Sequence, residues 1–139
     1  MNCPECGAPG VQCEPRYYDC LAKEFEDAGV GAVHHLTVST YMLQHSSKLS
    51  RQGWLETRRL LRDFLINNKP PSQIRRQNKN NVDSGKRKWK ITSKDDISKI
   101  SRSSWTKTIL DVRLEDAEAY RSDVRAWAQS ALMDSEKEA

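Results

Sequence analysis

Four cysteines, at positions 3, 6, 13 and 20, fall within the first twenty residues of a 139-residue chain. No other feature narrows the fold as much, because clustered thiols tie a segment by metal or disulfide, or do redox chemistry. Cys3-Pro4-Glu5-Cys6-Gly7 has the form of half a zinc knuckle. Two thiolates separated by two residues can bite one tetrahedral ion. A glycine after the second lets backbone N–H groups turn toward the sulfurs. The rival is thiol–disulfide redox, but a thioredoxin-like motif follows a strand in a βαβ pattern. Here only two residues precede the motif, so the spacing favours structural zinc.

Composition narrows the class. Hydrophobic residues make up 37% and charged residues 30%, with a mean hydropathy of −0.81. No window approaches the ~18 apolar residues of a membrane span, and Met1-Asn2-Cys3-Pro4-Glu5 does not start a signal peptide. We therefore expect a cytoplasmic protein of one domain, with its cysteines reduced. The net charge of +4 is unevenly distributed: residues 1–28 sum to −4, 29–68 to +3, 69–107 to +9 and 108–139 to −4. The basic block either faces an anionic partner such as nucleic acid or is a solvated, internally compensated run.

Periodicity predicts a mainly α, small helical bundle with an N-terminal zinc knuckle and an irregular basic middle segment. As a single domain it divides into a knuckle (1–14), a helical core (15–67), a loop-rich basic segment (68–107), a C-terminal helix (108–134) and a frayed tail (135–139). From Pro15, the residues Tyr17, Cys20, Leu21 and Phe25 follow a helical stripe that Gly29 would stop. Val30–His45 carries two stripes, one of Val33, Leu36, Thr40 and Leu43, the other of His34, Val38, Tyr41 and His45. Its alternation also permits a strand, but sixteen residues are long for one, so we read a central, mostly buried helix. Ser47 or Ser50 would cap a helix over Arg51–Asn67, with Trp54, Leu60, Leu61, Phe64 and Leu65 on its apolar face. Asn67 to Pro71 stops it. Lys88–Thr92 alternates like a short strand, and Trp105–Leu110 is a short apolar patch. From Asp116, Ala117, Tyr120, Val124, Trp127 and Ala131 line a final helix that frays from Asp134.

Helix geometry limits the ligand set. On one helix Cys13 and Cys20 would lie ~10.5 Å apart along the axis, too far for two Zn–S bonds of about 2.3 Å to meet easily. Cys20, on the apolar stripe, behaves as a small hydrophobe, which makes Cys13 the better third ligand. His34 and His35 diverge by about 100° on a helix, and His34 and His45 are ~16 Å apart along it, so one ion cannot take both. An antiparallel helix pair would bring His45 beside Cys13. Against that, the glycine-rich loop can reach along the bundle, and a histidine at a helix end readily finds a carbonyl or a capping role. The expected ligands are Cys3, Cys6, Cys13 and His34, with His45 and Cys20 as alternates.

No catalytic motif accompanies this site. HExxH and GxSxG are absent, Ser84-Gly85-Lys86 lacks the upstream glycine of a phosphate loop, and the zinc-deaminase pattern fails at both halves. The expectation is a binding module, for a protein partner, rather than an enzyme. One alternative is nucleic-acid binding through Arg75, Arg76, Lys86, Arg87, Lys88, Trp89 and Lys90, with Trp89 stacking on a base or else serving as a core anchor. Another is a metalloenzyme with an open zinc position.

Several segments together resemble a family of small bacterial proteins described only as a domain of unknown function. They are Cys3–Gly7, Cys13, Leu21–Phe25, Val33-His34, Leu36–Val38 with Tyr41, Gln44-His45, Thr108–Val112 and Val124–Ala128. The resemblance spans most of the chain and is weakest over 68–104. It implies that Cys3, Cys6, Cys13, His34 and His45 belong to the family pattern, whereas Cys20 and His35 do not. A proline commonly follows Gln-His in that pattern; Ser46 stands there in this chain. The resemblance implies no activity.

Overall fold

A computed structural model describes residues 2–27, 31–73 and 105–137. The described residues are mainly helical: α1 (Cys13–Glu26), α2 (His34–Gln44), α3 (Arg51–Leu65) and α4 (Ala117–Lys137), with 3₁₀ turns at Ser46–Lys48 and Ile109–Asp111. Among them is no strand; an isolated bridge between Asn2 and Pro9 closes the knuckle. Lys88–Thr92 and the basic residues Arg75, Arg76 and Lys86–Lys90 lie outside the described residues.

Helix α2 is central and packs against α1, α3 and α4. Of its two stripes, Val33, Leu36, Thr40 and Leu43 form the fully buried one, while His34 on the other is exposed. The strand alternative for this segment fails because a central element here must offer apolar groups around much of its circumference, which period 3.6 supplies. Ser50 caps α3, its hydroxyl accepting from the Gly53 N–H at 2.9 Å, and Trp54 and Leu61 anchor that helix in the core. Asp116 accepts from the Ala119 N–H at 2.9 Å and starts α4, which buries Tyr120, Val124, Trp127, Ala128 and Ala131.

Three local expectations need correction. Helix α1 begins at Cys13 rather than Pro15, which leaves the proline within the first turn, where its missing N–H costs nothing. Its inward face is Cys13, Tyr17, Cys20 and Glu24, so Phe25 is 93% exposed instead of continuing the stripe. Helix α4 continues to Lys137 rather than fraying from Asp134. Tertiary contacts hold that last turn: Asp134 accepts from the Thr106 N–H at 2.8 Å, and Ser135 is fully buried.

Candidate metal centre

The knuckle is a tight turn. The Gly7 N–H donates to the Cys3 carbonyl and the Cys3 N–H to the Ala8 carbonyl, both at 2.9 Å. Gly7 adopts φ +83°, a left-handed conformation that a side chain would strain. This winding aims backbone N–H groups at the sulfurs: those of Glu5 and Cys6 at Cys3, and that of Ala8 at Cys6. Cys13 joins them as the first residue of α1.

The fourth group is His45. Its ligand atom and the sulfurs of Cys3, Cys6 and Cys13 all lie within 4.8 Å of one another. The expected ligand His34 is not there. It sits at the opposite end of α2, half-exposed, with Nδ1 2.8 Å from the buried Glu24 carboxylate. The cause is topology: α2 returns along α1, so its C-terminal end, not its start, comes back to Cys13. Cys20, the other alternate, is buried one helical heptad from Cys13 among Tyr120 and the core, outside the cluster.

Local structure orients His45. Its Nδ1–H donates to the Tyr41 carbonyl at 2.8 Å, and Nε2 is a buried atom. A ligating imidazole commonly fixes its tautomer through such a carbonyl bond on the other nitrogen. The helix-end role that argued against His45 is therefore filled by Nδ1, while the residue still lies in the cluster with the three sulfurs. Tyr41 stacks on the imidazole at 4.0 Å, and Tyr17 stacks on Tyr41 at 3.8 Å with the rings 4° apart. Glu5, between the two knuckle cysteines, accepts from the Ser47 N–H at 2.8 Å, and its carbonyl accepts from Trp105 Nε1 at 3.0 Å. The end of α2 is pinned as well. Gln44 is fully buried, donating to the Lys107 carbonyl at 2.8 Å and accepting from Trp127 Nε1 at 3.0 Å.

The thiols do not favour the charged state alike. Burial pushes Cys6 and Cys13 up. At Cys3 burial acts in the same direction, but the Cys6 and Glu5 N–H groups and the neighbouring thiols bring the net value down. Three thiols packed together in a buried site need a cation before all can ionise. Chemically the cluster is a soft, closed S₃N set with Cys3, Cys6 and Cys13 at 6%, 3% and 2% exposure.

A second polar cluster, one the sequence did not single out, surrounds Glu24. Its carboxylate accepts from Thr37 Oγ1 at 2.5 Å, from the Tyr120 hydroxyl and from His34. A signal was present: Glu24 falls four residues after Cys20, on the inward face of α1.

No helix among the described residues is long and apolar enough to cross a membrane. No curated protein and no solved structure shows significant similarity to the chain. Over residues 1–136, a span that holds the knuckle cysteines, His45 and nearly all of the C-terminal helix, the sequence matches a family of unknown function (DUF5946), and the chain belongs to that family.

Proposed function

We propose that Cys3, Cys6, Cys13 and His45 hold one zinc ion in a closed tetrahedral site, and that the protein is a zinc-stabilised binding module of the cytoplasm. The observation that carries this reading is the convergence of four donor atoms within 4.8 Å. Tetrahedral zinc with Zn–S bonds of about 2.3 Å and a Zn–N bond of about 2.0 Å draws such a set inward only slightly. Sulfur and imidazole donors disfavour calcium and magnesium, which take oxygen. Four protein ligands and buried sulfurs leave no position for a reacting water, which favours a structural over a catalytic ion. A protein partner has a surface to cover: Tyr18 and Phe25, 60% and 93% exposed, lie a heptad apart on α1.

Protein purified without added metal is expected to carry one zinc per chain by elemental analysis. His45→Ala loses it, while His34→Gln, which keeps a donor for Glu24, retains it. Zinc retained by His45→Ala, or four freely titratable thiols in the wild type, overturns the assignment.

A further inference from the structure

The Glu24–His34 pair lies outside the metal centre and has the form of a positioned nucleophile. The two side chains differ sharply in exposure, 1% for Glu24 and 56% for His34. Glu24 itself is held from three directions. Thr37 and Tyr120, both fully buried, donate to Oε2, which leaves Oε1 for His34 Nδ1 at 2.8 Å. The backbone is shaped around this contact: a Cβ on Gly31 would stand 2.8 Å from the Glu24 carbonyl oxygen. Only glycine lets the chain entering α2 come this close to α1.

A carboxylate that accepts from Nδ1–H fixes the tautomer with Nε2 bare, and on an exposed ring Nε2 is the atom that meets solvent. His35, the neighbouring residue, lacks this arrangement and lies half-buried with its edge against Phe64, the ring centroids 4.5 Å apart. We infer that His34 Nε2 is a surface phosphoryl acceptor for donors with a labile P–N bond. In the step, the Nε2 lone pair attacks phosphorus and a new N–P bond forms. The donor's P–N bond, whose nitrogen is already protonated in the zwitterionic phosphoramidate, breaks, and that nitrogen leaves as a neutral amine with the bonding pair. The ring keeps its Nδ1 proton and becomes cationic, and Glu24 stabilises that cation. His34 is the first residue of α2, where the positive end of the helix dipole favours the added dianion. Glu24 acts as a positioning residue that never touches phosphorus.

The test uses the full chain, zinc-loaded, with potassium phosphoramidate as the donor and N-acetylhistidine as the reference imidazole. One acid-labile phosphoryl group per chain is expected on His34, formed at least roughly tenfold faster than on N-acetylhistidine. Mass spectrometry after proteolysis at neutral pH locates it, and His34→Gln abolishes it. Independently, ¹⁵N NMR of the unmodified protein should show His34 as the Nδ1–H tautomer. In Glu24→Gln that signature and the rate excess disappear together. If Glu24→Gln does not fold, the wild-type tautomer and rate ratio decide alone. Labelling no faster than the reference, labelling shared evenly with His35, or an Nε2–H tautomer overturns the inference. Because none of these readouts depends on His45 or the sulfurs, failure here leaves the zinc assignment standing.

Discussion

Three histidines within twelve residues take three different roles, set by what surrounds each ring. His45 gives Nδ1 to a carbonyl and lies in one cluster with three thiols; His34 leans on a buried carboxylate; His35 packs against Phe64. Burial, then the charges of Arg125 and His34, lower the His35 pKa from 6.5 to about 4. The unfolded chain therefore takes up a proton at a pH where the folded chain does not. Stability from His35 is fully present above pH 6.5 and is lost as pH falls toward about 4. Urea unfolding of wild type and His35→Leu, both zinc-loaded, should show midpoints that diverge across that window, with the wild type falling faster. Parallel curves would mean that His35 is equally easy to protonate in both states. Any acid release of zinc affects both proteins alike and cancels in the comparison.

Among the helices, α2 matters most because its C-terminal end carries His45 and its start carries His34. Its position is set by side chains from other elements: Trp54 of α3 donates to the Leu43 carbonyl at 3.1 Å, and Trp127 of α4 donates to Gln44. Gln44→Leu keeps similar bulk but strands the Trp127 N–H and the Lys107 carbonyl. Unpaired buried groups cost about 1–3 kcal/mol each, so a loss of about 2–6 kcal/mol is expected as a shift in urea midpoint at unchanged slope. Zinc affinity should fall as well, since the same bonds fix the residue before His45. A neutral substitution would show that the helix end is held by the core alone. The starts of α3 and α4 were legible, because caps are local: Ser50 and Asp116 each accept from an N–H three residues on. The end of α4 was not, since Asp134 and Ser135 look like a solvated terminus until Thr106 is brought against Asp134 and Arg58 against the Ser135 carbonyl.

On the proposed zinc reading, the whole molecule draws stability both from metal ligation and from the helical core. Leu36, Leu43, Leu61, Tyr120 and Trp127 of the core stand on helices, whereas Cys3, Cys6 and Ala8 join that core from residues 2–12, which form no regular helix or sheet. Ligand free energy is folding free energy for such a segment. Chelation should thus lower stability by about 4 kcal/mol relative to free zinc a thousandfold above its dissociation constant. Hydrogen exchange should speed first in the knuckle, the start of α1 and residues 45–49, and last in α4. Uniform speeding, or none, would contradict this division. The amino-acid sequence by itself determined the helical class, the knuckle, Cys13 over Cys20 and the buried stripe of α2, since each follows from spacing within one segment. It did not decide between His34 and His45, nor reveal the Glu24 cluster. Both ends of α2 present a histidine at helical spacing, and periodicity says which face a residue shares but not which neighbour that face meets. Only the return of α2 along α1 brought His45 to the sulfurs and His34 to a carboxylate, because ligation and ion pairing act over a few ångströms that the packing of separate helices must first close.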